Sequence, residues 1–191
     1  MGWTTANEKS IPEIEAKLKS IGGDMLKIEY LENCLKNVLP NDTRRFVHIK
    51  LADLFSGKGM HSQAAQNLSA AAECAVTYKD KAQLFMSETL MWIKHGDYYK
   101  ADDSFKKALA CSNSKEKEVL MKQLKEYYFE AAEKFEKANK NNSAIKIYEK
   151  LGVLPFITQE EKEKINSRLI RLYNRVGKIR EAMALEQAAK R

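Results

Sequence analysis

Four cationic side chains near the C-terminal end of the sequence are spaced so that they could form one binding face. They are Lys164, Arg168, Arg171 and Arg175. Steps of 4, 3 and 4 residues place all four on the same face of a helix. Such a row of cations can bind phosphate groups or an acidic peptide. It can equally be a solvated helix face, because Glu160, Glu161 and Glu163 lie about one turn away and can pair with some of the cations.

The side chains that most often carry out catalysis do not form a recognisable set. His48, His61 and His95 are isolated from any cysteine or carboxylate at the spacing of a metal site or a catalytic triad. The sequence also lacks the GxxxxGKS/T phosphate loop, the GxGxxG pattern and HExxH. We therefore expect a protein that is not an enzyme, with no catalytic residues, no metal site and no cofactor.

The composition favours a helical protein with a core of ordinary size. The chain has 191 residues, of which 44% are hydrophobic and 31% charged, with only 8 glycines and 3 prolines. No run approaches the roughly 18 apolar residues that span a bilayer, and the first residues contain no apolar segment of a secretory signal. The three cysteines lie far apart, which fits a reducing compartment. We expect a cytoplasmic protein with no transmembrane segment.

Capping residues, apolar periods and turn residues predict about ten helices and no strand. For example, Ser10 and Thr158 each precede a glutamate by three residues, the pattern of a capping box at a helix start. Short connections between the helices favour antiparallel neighbours. We predict a flexible N-terminus over 1–10 and a single helical-repeat domain over 11–191. Its predicted hairpins cover residues 11–40, 43–76, 78–111, 114–152 and 158–190.

One spacing recurs four times and divides the chain into repeats. An aromatic residue in a first helix is followed nine residues later by an alanine in the next helix. The pairs are Phe55 and Ala64, Trp92 and Ala101, Phe135 and Ala144, and Tyr173 and Ala182. A turn residue lies four positions after each aromatic, namely Gly59, Gly96, Asn139 and Gly177. Hairpins that cannot close their own core must stack on neighbouring hairpins, which predicts an α-solenoid. Hairpin 11–40 lacks the nine-residue spacing, so we predict that it is a divergent N-terminal hairpin.

This pattern resembles the tetratricopeptide repeat family. The resemblance covers about residues 43–189 and is clearest in Gly96, Ala101, Phe105 and Ala108 and in the segment AIKIYEKL, 144–151. The repeats here are longer than the family's usual unit of about 34 residues. The resemblance implies an all-α fold, an α-solenoid of about five antiparallel helical hairpins wound as a right-handed superhelix. It also implies a scaffold or adaptor whose first helices line a concave groove for a protein or peptide partner.

Carried over to this sequence, the resemblance implies an apolar stretch of the groove. Its residues are Met86, Leu90, Ile93 and Phe129. An apolar groove suits an amphipathic helix or an extended peptide. The alternative is that the N-terminal hairpin or a second copy of the chain covers Met86, Leu90 and Ile93, which leaves self-association open.

Two functions are compatible with these patterns. The first is a non-enzymatic protein–protein interaction scaffold that binds a peptide or helix in its concave groove. The alternative is a basic nucleic-acid-binding or ribonucleoprotein-assembly module that uses the cations of 164–175, which the net charge of +7 would assist. Against nucleic acid, no aromatic residue alternates with the cations, since Tyr173 belongs to the repeat.

Overall fold

The computed structural model describes residues 6–189, which form ten helices and contain no strand. The helices are α1 (Ile11–Ser20), α2 (Asp24–Leu35), α3 (Asn41–Gly57), α4 (His61–Glu73), α5 (Tyr78–His95), α6 (Tyr98–Ala110), α7 (Ser114–Lys137), α8 (Asn141–Gly152), α9 (Gln159–Arg175) and α10 (Ile179–Ala189). The prediction of an all-α protein with about ten helices is confirmed. The capping boxes at Ser10 and Thr158 are also present, with the glutamate three residues later accepting the N–H of the capping residue.

The helices group into two compact units, divided near the start of α7 between Lys117 and Glu118. In the first unit, each helix from α2 to α5 packs against the helix that follows it, so that the series ends at α6. In the second unit, α9 packs against both α8 and α10. Packing between sequence neighbours is the result that short connections impose. The single domain over 11–191 and the assembly of all hairpins into one solenoid stay predictions.

The four aligned turns share one backbone conformation. The turn residue has a positive φ in each of them: 73° at Gly59, 90° at Gly96, 55° at Asn139 and 76° at Gly177. Glycine adopts this left-handed region freely, and asparagine tolerates it better than most residues. Asn139 is the only residue other than glycine with a positive φ within 6–189. Asparagine therefore replaces glycine in the third repeat without a change in the turn.

The residue after each turn residue joins the two helices of the hairpin through its main chain. Its N–H donates to the carbonyl of the aromatic residue: Met60 to Phe55 (2.9 Å), Asp97 to Trp92 (3.0 Å), Lys140 to Phe135 (2.9 Å) and Lys178 to Tyr173 (2.9 Å). Its carbonyl accepts the N–H of the alanine: Ala64 to Met60 (3.1 Å), Ala101 to Asp97 (3.1 Å), Ala144 to Lys140 (3.1 Å) and Ala182 to Lys178 (3.2 Å). The first bond closes a Schellman turn and spans five residues, and the second opens an α-helix and spans four. These two backbone bonds together set the constant spacing of nine.

The alanines of the four pairs are all buried. Ala64, Ala101, Ala144 and Ala182 have at most 2% of their surface exposed. Three of the four aromatics, Phe55, Trp92 and Tyr173, are buried as well, and Phe135 is half-buried. The sequence repeat is therefore matched by a repeated local structure in which a small residue enters the core at the start of each second helix.

Candidate binding site

The apolar positions expected on α5 lie mostly inside the first unit. Met86 and Ile93 are buried, with relative exposures of 5% and 1%. Leu90, between them, is half-buried. Of these three side chains, only Leu90 offers surface to a partner, so we base no site on this part of α5.

Phe129 lies in a cleft of the second unit, about 480 Å³ in volume. The cleft is lined by Phe129 and Glu133 of α7, by Tyr148 of α8, and by a face of α9 that carries Lys164, Arg168 and Arg171. The structure thus places Phe129 beside three of the four cations predicted from the sequence. One residue of the predicted apolar stretch and three of the predicted cations, which the sequence assigned to different sites, therefore line one cleft.

The fourth cation, Arg175, lines an adjoining cleft of about 400 Å³. This second cleft also contains Glu133, Glu136 and Arg168. Arg168 therefore borders both clefts, with Arg171 in the first and Arg175 in the second.

The start of α9 is fixed by its capping box and by an ion pair with α7. Thr158 Oγ1 accepts the N–H of Glu161 at 3.2 Å, and Glu161 Oε2 accepts the N–H of Thr158 at 2.9 Å. The other Glu161 oxygen, Oε1, accepts a hydrogen bond from Lys125 Nζ of α7 at 2.8 Å. The hydrogen bond from Lys125 holds the pKa of Glu161 below its usual value. The apolar residues Ile165, Leu169 and Leu172 are buried, and the cations lie beside this buried face, on the side of α9 that borders the clefts.

Arg168 is held by two carboxylates of α7. Its Nη1 lies 3.0 Å from Glu136 Oε2 and its Nη2 lies 3.4 Å from Glu133 Oε1. The hydroxyl of the buried Tyr148 donates to the same Glu136 oxygen at 3.4 Å. The hydrogen bond to Glu136 raises the pKa of Arg168, and burial raises the pKa of Tyr148 to about 12, so this hydroxyl keeps its proton at neutral pH. We call Glu133, Glu136, Tyr148 and Arg168 the Arg168 cluster.

The four cations of α9 that were predicted to form one face divide into two paired and two unpaired side chains. Lys164 Nζ lies 2.7 Å from Glu160 Oε1, an ion pair between exposed groups. Arg168 is paired within the Arg168 cluster. Arg171 and Arg175 are exposed and form no ion pair within residues 6–189. The expectation that nearby glutamates pair with some of the cations is confirmed for Lys164, while Arg168 pairs with another helix.

Replacing Arg168 with methionine should lower the free energy of unfolding by about 1 to 2 kcal/mol. The loss follows because the Glu136 side chain, only 16% exposed, would lose its ion-pair partner. Urea denaturation followed by circular dichroism measures it. Arg171→Met is the matched control and should change the value by less than about 0.5 kcal/mol. Equal losses in the two variants would show that the Arg168 cluster does not stabilise the fold.

The histidines occupy structural or turn positions. His48 Nδ1 and Asn67 Oδ1 lie 2.9 Å apart, which connects α3 to α4. Burial lowers the pKa of His48 and also that of His61. Among residues 6–189, no three side chains of the His, Cys, Asp or Glu type are grouped so as to hold a metal ion. None of the ten helices is both long enough and apolar enough to span a membrane.

No protein-family model matches the chain, and no curated protein sequence matches it.

Proposed function

We propose that the protein is a non-enzymatic scaffold that binds a segment of another protein in the cleft lined by α7, α8 and α9. The observation that carries the proposal is the wall of this cleft, where Phe129 is half-buried beside cations and carboxylates. A half-buried aromatic side chain offers an anchor for an apolar residue, and the surrounding charges can orient the segment. Such a wall suits recognition of a peptide or helix in a groove.

The repeated hairpins support the same proposal. Four turns with one hydrogen-bond pattern, each followed by a buried alanine, agree with a tetratricopeptide-like array of longer units. In such an array the first helices, here α3, α5, α7 and α9, would face the partner. Two of these four helices supply most of the cleft. We place the protein in the cytoplasm as part of this proposal, in keeping with its unclustered cysteines.

A nucleic-acid-binding or ribonucleoprotein-assembly module is the second candidate. It is favoured by the net charge of +7 and by the two unpaired arginines of α9. The cleft itself argues for a protein partner, because Glu133, Glu160 and Glu163 line it together with the cations. A continuous phosphate backbone would meet these carboxylates as well as the arginines.

A peptide selected from a displayed random library should depend on Phe129 for its affinity. We expect Phe129→Ala to weaken the binding of selected peptides by about tenfold or more, the usual effect of removing an aromatic anchor. Fluorescence anisotropy with labelled peptides measures this loss, and circular dichroism checks that the variant stays helical. Tyr99→Ala, which removes an aromatic ring that is 85% exposed on α6, should leave the affinity unchanged. The proposal fails if no peptide is selected, or if the selected peptides bind both variants as tightly as the unaltered protein.

A further inference from the structure

We infer that the partner segment is acidic and that Arg171 and Arg175 are the two residues that recognise its carboxylates. The inference rests on the proposed function and adds the chemistry of the partner to it. It assigns different roles to four cations that look equivalent in the sequence. Arg171 and Arg175 contact the partner, while Arg168 is a positioning residue inside the protein.

The four cations differ in the ion pairs that they already form. Arg168 is neutralised by Glu133 and Glu136, and Lys164 is neutralised by Glu160. The guanidinium groups of Arg171 and Arg175 have no carboxylate partner within the described part of the chain, and both side chains are exposed. A guanidinium group can bind a carboxylate through two parallel hydrogen bonds, which gives both affinity and orientation.

The spacing of the two arginines limits the segment that fits. They are four residues apart on α9, so their Cβ atoms are about 5–6 Å apart on one face. Arg171 belongs to the cleft that contains Phe129, and Arg175 belongs to the adjoining cleft. A segment that places an apolar side chain against Phe129 would therefore reach Arg171 in the same cleft and Arg175 in the next. Two acidic residues one helical turn apart, beside one apolar residue, meet these positions.

The carboxylates of the first cleft favour a peptide over a nucleic acid. Glu133 of α7 and Glu160 and Glu163 of α9 line the same cleft as Arg171. A peptide can carry acidic residues only where the arginines are, whereas a nucleic acid carries a charge at every nucleotide and would also meet Glu163, which forms no ion pair among residues 6–189. Tyr148, the second aromatic of the cleft, is buried with 1% exposure and offers no free ring for a base to stack on.

A pair of synthetic peptides tests the inference. Both are short amphipathic helices with the same leucine anchor, and they differ only at two positions four residues apart, which are Glu in one and Lys in the other. We expect the full chain to bind the Glu peptide at least about tenfold more tightly than the Lys peptide at low salt. The variant Arg171→Glu/Arg175→Glu should lose this preference and bind the Lys peptide more tightly than the Glu peptide.

The control variant makes the same change in net charge away from the clefts. Lys162→Glu/Arg180→Glu replaces two exposed cations of α9 and α10 that line neither cleft. It should keep the preference of the unaltered protein for the Glu peptide. A similar loss of preference in both double variants would mean that net charge alone attracts the peptide, and the inference would be wrong.

The remaining outcomes separate this inference from the proposed function. If library peptides bind through Phe129 but are indifferent to Arg171 and Arg175, the scaffold stands and the acidic partner is wrong. If no peptide binds through Phe129, both are wrong. If a single-stranded oligouridylate binds through the two arginines more tightly than the Glu peptide, with an affinity that falls steeply with salt, the partner is a nucleic acid and the inference is overturned.

Discussion

Replacing Trp92 with alanine should lower the free energy of unfolding of the first unit by about 3 to 5 kcal/mol. The indole is 4% exposed, so its removal leaves a cavity in the core. Trp92 Nε1 also donates to Glu88 Oε1 at 3.1 Å, and Lys100 Nζ lies 4.4 Å from the centre of the ring. Glu88 is 5% exposed and its second oxygen has no hydrogen-bond partner among the described residues. The variant would therefore leave a buried carboxylate with neither oxygen paired, which adds to the cost of the cavity.

Two further variants separate the contributions to this loss. Trp92→Phe keeps most of the ring volume but cannot donate a hydrogen bond to Glu88. Its free energy of unfolding should therefore lie between those of the unaltered protein and Trp92→Ala. Tyr99→Ala, on the solvent side of α6, should change the free energy of unfolding by less than about 0.5 kcal/mol. The measurement is urea denaturation followed by far-ultraviolet circular dichroism, which does not depend on the tryptophan. A loss below about 1 kcal/mol in Trp92→Ala would contradict a core position for this side chain.

Replacing Ala144 with leucine should destabilise the second unit by about 1 to 3 kcal/mol. Ala144 is fully buried at the start of α8, where its N–H donates to the carbonyl of Lys140 in the first hydrogen bond of the helix. A larger side chain at this position must displace neighbours of a packed core. Helix propensity does not explain the loss, because leucine is almost as favourable in a helix as alanine.

The control for Ala144 is an alanine on the surface of the same unit. Ala184 is exposed on α10, and Ala184→Leu should leave the midpoint of urea denaturation nearly unchanged. If Ala144→Leu were as stable as Ala184→Leu, the recurring alanine would not mark a position that requires a small residue.

The helices and turns were accessible from the sequence because their causes are local. The capping boxes at Ser10 and Thr158 depend on residues three positions apart. The turns depend on a glycine or asparagine placed four residues after an aromatic, and Asn139 shows that the position matters more than the residue type. Signals of this range can be read along the chain.

The candidate site was only partly accessible because its decisive contacts are distant in sequence. Arg168 pairs with residues 32 and 35 positions earlier, and this pairing depends on how α9 lies against α7. One local feature was compatible with this pairing: Glu133 and Glu136 lie three residues apart, on one face of α7. The burial of Met86 and Ile93 was likewise hidden, because periodicity identifies a helix face without identifying what covers it. The sequence also did not predict that Phe129 and three of the cations line the same cleft, because they lie on different helices.

The hydrogen bonds of the four turns bear on how the chain acquires its structure during synthesis. Each bond joins residues at most five positions apart, so a hairpin can close without waiting for distant segments. Contacts between near neighbours in sequence form fastest during folding, and domains generally form in order from the N-terminus as the chain is made. The connection between α3 and α4 can therefore be complete before the residues of α5 have left the ribosome. A newly made hairpin would then offer a folded surface on which the next one nucleates.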